Sequence, residues 1–268
     1  MDARNKTISR KSLVEDRVQR EKTFHNKIYS EGTRKPADKY YTIVKSSRNH
    51  HLNILTADCR GKRVLEYGCG CCVTGIPYML ARKGAEVHAI DISEEAITRA
   101  KEKALALGLS GAITFRVMDA ERMEYEGAFF DLITGTSILH HLNQPRALLE
   151  LARVLKASGK AVFLEPSAAN PMINLYRRLT PHLRSADEQP LRRQDIALMA
   201  DYFDTVKVHH FHLLALLAVP FRQTPLFGPV FAVLNTIDGL LMKLPVTKSL
   251  AWMLVIEMSE PKQRPAAG

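Results

Sequence analysis

Four cysteines among 268 residues are too few for a disulfide framework. Three of them, Cys69, Cys71 and Cys72, crowd one glycine-rich loop, with only Cys59 elsewhere. A zinc site needs a second ligand pair at metal spacing, and none is visible, so no metal is expected. Residues 1–20 contain no apolar run, which argues against a secretory signal, while Asp2, Glu15 and Asp16 argue against a transit peptide. A cytoplasmic location is the expectation. No stretch supplies the ~20 apolar residues of a membrane span. The most apolar segment, HLLALLAVPF and then LFGPVFAVLNTIDGLLMKL, is interrupted by Pro220, Arg222, Gln223, Pro225 and Pro229. There is no internal repeat, and no low-complexity segment apart from a short polar tail after Pro261.

What is present is ordinary globular composition with a basic balance. Apolar residues make up 46% of the chain, enough for one core of Rossmann size with caps. The formal charge of +10 favours anionic surroundings, whether a membrane face, nucleic acid or acidic substrates. Much of the excess lies early, since residues 1–50 hold 13 Lys/Arg against 6 Asp/Glu.

The stretch VLEYGCGCCVTG, Val64 to Gly75, ends an apolar run in a carboxylate and then in closely spaced glycines. That is a strand feeding a loop and then a helix. Gly68 and Gly70 allow a tight turn and a close approach of ligand to backbone. Glu66, two residues ahead, would repel a pyrophosphate and favour an ammonium. A second apolar run, AEVHAI, ends at Asp91, placed to accept from ribose hydroxyls. A third, ITFRVM, ends at Asp119. Three acidic residues at three successive strand ends suit a ligand with an ammonium, a ribose and an adenine amine, which describes S-adenosylmethionine.

With LEYGCG at 65–70, AIDIS at 89–93, VMDA at 117–120, FDLITGTSILHHL at 130–142 and LKASGKAVFLEP at 155–166, the chain resembles the class I S-adenosylmethionine-dependent methyltransferases. Within them it resembles the branch of quinone-biosynthesis and small-molecule enzymes, the methyltransferase type 11 domain. The resemblance covers roughly 60–166 and extends the cofactor site to Cys69, Gly75, Ile92, Ala120 and Thr136. One departure is Cys72, which stands where relatives usually carry glycine. Thr74 and Gly75 follow as if two residues were inserted, so a longer loop is expected.

Alternating strand and helix signals indicate an α/β, Rossmann-like doubly wound sheet, mostly parallel. Strands are expected near 63–67, 86–90, 113–118, 130–135 and 160–165. Ser93 caps one helix. Pro145 opens another, with Leu148, Leu149, Ala152 and Leu155 as its apolar face. Residues 1–57 read as a helical cap, with helices at 11–30 and 37–55 separated by the breaker at 31–36. The cap carries Phe24, His25, Tyr29, Tyr40 and Tyr41, as packing residues or ligand contacts. Residues 58–211 form the cofactor-binding core, including a substrate lid at 166–192 where Arg177, Arg178 and Arg184 face solvent or an anionic group. A helix at 193–203 and a strand at 205–211 follow. Residues 212–268 form an apolar insertion and an antiparallel last strand near 251–258. Ile237, Leu240, Leu241 and Leu244 are spaced as one helix face, with Asp238 and Lys243 elsewhere on the turn.

An oxygen or enol-carbon acceptor needs its proton removed, and a histidine titrates in the useful range. His140 and His141 follow the fourth strand, where relatives often line the active site with histidine, and Glu165 ends the fifth. Either histidine also serves as helix cap or packing residue. The expected function is methylation of a lipophilic small molecule, with an anionic membrane surface as a possible partner. An RNA methyltransferase is the alternative suggested by the charge, but GTSILHHL stands where an Asn-Pro-Pro-Tyr type motif would, and no RNA-binding module is appended, so nucleic acid is not the expected partner. A non-catalytic cofactor-binding scaffold is the third reading. Nothing in the sequence specifies an oligomeric state.

Overall fold

The structure is a computed structural model, and it describes residues 10–31, 42–180 and 189–262. Tyr40, Tyr41, Arg184 and the tail beyond 262 lie outside them, as do the breaker after residue 31 and the first residues of the second cap helix.

Seven strands form one sheet in the order β3-β2-β1-β4-β5-β7-β6. β1 (Arg63–Tyr67), β2 (Glu86–Asp91), β3 (Ile113–Val117), β4 (Phe130–Thr136) and β5 (Leu155–Pro166) are parallel, whereas β7 (Met253–Pro261) runs antiparallel between β5 and β6 (Phe203–Phe211). The central strands are buried on both faces, as in a parallel sheet covered by helices. Val64, Val87, Leu132, Val162 and Val255 pack on one side. Leu65, Ile90, Ile133, Phe163 and Ile256 pack on the other.

Helix α1 (Arg10–Glu31) lies near the carboxyl ends of the strands, followed by α2 (Lys45–Thr56), α3 (Ile76–Arg82) and α4 (Glu94–Ala106). The Ser93 hydroxyl accepts from Ala96 N–H at 3.1 Å and caps α4. Helix α5 (Gln144–Val154) is capped by Asn143, and its buried face is Ala147, Leu148, Leu151 and Val154. This differs from the face read from the sequence: Leu149 is exposed and Leu155 already belongs to β5. The chain leaves the helix at Val154 because Leu155 pairs with Phe130 of β4, and after an irregularity in register Lys160 pairs with Leu132 of β4 and Ser259 of β7, which lengthens β5 beyond expectation.

Three further departures lie in the C-terminal half. The segment after β5 contains a helix, α6 (Pro171–Leu179), whose start is fixed by Asn170 accepting from Met172 and Ile173 N–H. Helix α7 (Arg193–Met199) is shorter than expected, since Phe203 turns into the sheet as the first residue of β6. In the insertion, a 3₁₀ segment (Ala215–Phe221) leads to α8 (Phe227–Leu241) and one short turn, α9 (Pro245–Lys248).

Asp238, set by the sequence spacing off the apolar face of that turn, is 3% exposed. Its carboxylate accepts from the backbone N–H of Leu213 (2.9 Å), Leu214 (2.7 Å) and Ala215 (3.0 Å). A carboxylate that gathers three donors from the opening of the 3₁₀ segment is best placed inward, which rotates Ile237, Leu240 and Leu244 outward.

Candidate active site

The strand ends of β2 and β4, the loop after β1 and the segment after β3 enclose a cavity of about 100 Å³ under α1. It is small for a nucleoside ligand because α1 lies across its mouth. Gly68 lines it with φ at 65°, and a Cβ there would come within 2.5 Å of the Ile138 side chain. Cys72 adopts φ 51°, the left-handed region that a glycine enters without strain, which gives a backbone reason for the glycine usual at that place.

Asp91 accepts from Gly70 N–H at 2.7 Å and Ser93 N–H at 2.9 Å, so one carboxylate ties the β1 loop to the cap of α4. Burial raises its pKa, and those two N–H groups oppose the rise. Asp119 accepts from Glu121 N–H at 2.9 Å. Gly68, Asp91, Ile92, Asp119, Ala120 and Thr136 all line the cavity. Glu66, Cys69, Gly70 and Gly75 do not; they lie in the strand end and loop beneath it.

Two polar atoms make the site suitable for an incoming ligand. Glu66 Oε2 and Thr136 Oγ1 are buried without a hydrogen-bond partner. Burial drives the Glu66 pKa well up, with nearby Cys72 adding and the Thr74 hydroxyl opposing. An ammonium would relieve that buried carboxylate, and hydroxyl donors suit Asp91 and Thr136. The residues therefore fit S-adenosylmethionine.

The two histidines after β4 point to different partners. His140 is buried, with Nδ1 2.7 Å from Glu165 Oε2, while Glu165 Oε1 accepts from Ile138 and Leu139 N–H at 2.8 and 2.9 Å. Glu165 is wholly buried and outside the cavity lining, so its geometry suits holding the loop rather than meeting an acceptor. His141 lines the cavity. Its pKa is lowered by burial and by His140, with the Glu21 carboxylate opposing, so the ring is held toward its neutral form.

Sequence reasoning read His25 and Tyr29 as packing residues or ligand contacts and missed the rest of the roof. Arg17, Glu21, His25 and Tyr29 all line the cavity from α1, as does Glu121 from below. The signal for Arg17 and Glu21 was a polar row at spacing four with His25 and Tyr29, which reads as a solvated helix face until the cavity is seen.

Residues 65–163 match the family model described as a methyltransferase domain. The matched segment is a methyltransferase domain, and the order of the sheet is that of the class I S-adenosylmethionine-dependent methyltransferases. It is 33% identical over 108 residues to phosphatidylethanolamine N-methyltransferase of Cereibacter sphaeroides, covering 40% of this chain and 52% of that one. Ubiquinone biosynthesis O-methyltransferase of Pseudomonas aeruginosa is 31% identical over 121 residues, 45% of this chain and 50% of that one. The chain thus spans about half the length of these curated relatives. Among solved structures, geranyl diphosphate C-methyltransferase of Streptomyces coelicolor, in complex with Mg²⁺, geranyl diphosphate and S-adenosyl-L-homocysteine, matches with TM-score 0.58 and 12% identity over 81% of this chain and 79% of that one. Magnesium protoporphyrin IX methyltransferase of Synechocystis matches with TM-score 0.55 and 14% identity over 84% and 86%. These two likenesses concern the fold.

Proposed function

We propose that the protein transfers the methyl group of S-adenosylmethionine to an oxygen or carbon nucleophile of a lipophilic small molecule, with His141 as general base. The observation that carries this reading is a single cavity in which Gly68, Asp91, Asp119 and Thr136 meet His141. Bound there, S-adenosylmethionine supplies a methyl on a sulfonium, which needs only in-line positioning to be displaced. Glu66 would meet the ammonium, Asp91 the ribose, and Asp119 the adenine amine. His141 takes the proton lost by the acceptor, and His140 with Glu165 holds the loop that carries it. The test supplies labelled S-adenosylmethionine and a total-lipid extract to wild type, His140→Ala and His141→Ala. The His141 variant is expected to lose about 10²- to 10⁴-fold in turnover with cofactor affinity unchanged. Full activity across pH in the His141 variant would remove the base assignment, and label appearing in RNA would favour the alternative substrate class.

An anionic membrane surface fits as partner. Among the described residues no helix is long and apolar enough to span a membrane. Yet α8 and its flanks leave Leu226, Val233, Ile237, Leu240 and Leu244 in solvent, Val233 at 60% and Leu240 at 61% exposure, and α6 adds Leu175 and Leu179. Between Leu213 and Leu250 the charged residues are Arg222, Lys243, Lys248 and the buried Asp238. Apolar side chains interleaved only with exposed cations suit the interface of an anionic bilayer. Phe227 and Phe231, which pack against the core, are not part of that face. Flotation with phosphatidylglycerol-containing vesicles is expected for wild type at low salt and weakened for Val233→Ser/Ile237→Ser/Leu240→Ser. A wild type that stays in the soluble fraction would eliminate the membrane role.

A further inference from the structure

We propose that Glu21 on α1 is a positioning residue for His141, so that the base is completed only when α1 closes over the cavity. The proposal rests on His141 as the base, and adds a residue and a conformational condition to it.

Glu21 and His141 are 5% and 6% exposed, and Glu21 Oε2 lies 3.2 Å from His141 Nδ1. His25, one turn further along α1, brings Nε2 to 3.3 Å from the same oxygen, with its ring edge-on to His141 at 5.2 Å. A carboxylate at Nδ1 favours the tautomer with the proton on that nitrogen, leaving Nε2 across the ring to accept from substrate. The other groups around His141 are Arg17, whose guanidinium donates to His141 O at 2.8 Å and pairs with Glu121, and the His140 ring at 4.3 Å. Glu21 is thus the carboxylate at the His141 ring itself, since Glu121 is held by Arg17 and Asn143 N–H.

The carboxylate arrives on an element that docks through polar pairs and brings Val18 to the cavity. Neither hydrophobic cluster of the described residues includes a residue of α1. Its polar contacts to the core include Lys22 with Glu94, Asn26 with Ser93 and Glu94, Arg17 with Glu121, and Arg99 with Ser30 O. The exposed members of this set, Lys22 with Glu94 and Arg99 with Ser30, open at low cost while Arg17 with Glu121 is part-buried, and the small cavity requires opening for a nucleoside cofactor to enter. When α1 lifts, Arg17, Glu21, His25 and Tyr29 leave together, being one row at spacing four. Proton abstraction is then confined to the closed state, in which water is excluded and the base is oriented.

The test uses the full chain with S-adenosyl-L-homocysteine bound, and reads the ring nitrogens of His141 by ¹⁵N NMR across pH in wild type, Glu21→Gln and Glu21→Asp. Wild type is expected to show the Nδ1–H tautomer. Glu21→Gln keeps the volume and removes the charge; it is expected to lower the His141 pKa by about one unit with S-adenosyl-L-homocysteine affinity unchanged, and Glu21→Asp to restore part of it. An unchanged His141 titration in Glu21→Gln, or an Nε2–H tautomer in wild type, would overturn the proposal. So would stoichiometric Zn²⁺ uptake by wild type that is lost in His25→Ala, since Glu21, His25 and His141 would then be a metal cage. Failure of the base reading is separate, and would appear as full methyl transfer to lipid extract by His141→Ala while the Glu21 effect on the ring persists.

Discussion

Helices α1 and α8 both depart from the rule that a surface helix buries its apolar side, and they do so in opposite directions. Helix α1 turns a polar row, Arg17, Glu21, His25 and Tyr29, toward the cavity. Helix α8 turns Phe227, Phe231 and Asp238 inward and leaves Val233, Ile237 and Leu240 in solvent. Beside them α5 follows the rule, with Ala147, Leu148, Leu151 and Val154 buried. The comparison teaches that an inward polar row marks a helix that serves a ligand, whereas an outward apolar row marks one that awaits a second surface. It also separates two kinds of attachment. Helix α8 is held by apolar packing and a buried carboxylate, and α1 by polar pairs, of which Lys22 with Glu94 is exposed and Arg17 with Glu121 part-buried.

Acid is expected to have the largest effect. His212, at the foot of the insertion, and His51, under the main sheet, both have pKa values lowered to about 4 by burial. Their unfolded value is near 6.5, so between pH 6.5 and 4 the unfolded chain binds more protons and stability falls as pH drops; above 6.5 these groups contribute no slope. The loss should approach roughly 3 kcal/mol for each group by pH 4. Denaturant melts of wild type and His212→Gln from pH 7 to 4 check it, and identical slopes would show that the insertion is not locked in this way.

Removing the α8 anchor comes next. Asp238→Ala leaves three N–H groups, one buried and two part-buried, without their acceptor and is expected to cost about 2–4 kcal/mol of stability. Chemical denaturation measures it, and a loss below about 0.5 kcal/mol would mean the insertion does not depend on this carboxylate. In the core, Asp91→Ala should weaken S-adenosyl-L-homocysteine binding by about 1–3 kcal/mol in calorimetry, since a charge-assisted ribose contact and the tie to Gly70 are both lost. The smallest effect belongs to α1: Lys22→Ala breaks an exposed pair with Glu94 and should change stability by less than about 1 kcal/mol. It should also speed cofactor entry in stopped flow, and an unchanged entry rate would argue that α1 is not the gate.

The parallel core was legible because buried strands read as apolar runs, and the acids at their ends, Asp91 and Asp119, stand out by contrast. Asp91 of β2 followed from that pattern, and Thr136 of β4 from the family resemblance. Glu21 was not legible, because a polar residue on a charged helix reads as solvated until the tertiary contact with His141 is known. The inward turn of Asp238 was not legible for the same reason: its partners, the N–H groups of residues 213–215, are 23 to 25 positions away. Helix α6 was signalled by Asn170 and Pro171 at its start, a capping pattern obscured by the prolines and polar residues around it.

The central claim is that the cavity under α1 performs methyl transfer to a lipid-soluble acceptor, and one measurement tests it directly. Full-length protein is incubated with methyl-labelled S-adenosylmethionine and anionic vesicles made from a total-lipid extract, and the label is partitioned between organic and aqueous phases. The account predicts label in an organic-phase product, dependent on His141 and reduced in the Val233→Ser/Ile237→Ser/Leu240→Ser variant. Calorimetry showing tight NAD binding and none of S-adenosylmethionine, or label confined to aqueous or RNA products, would contradict it.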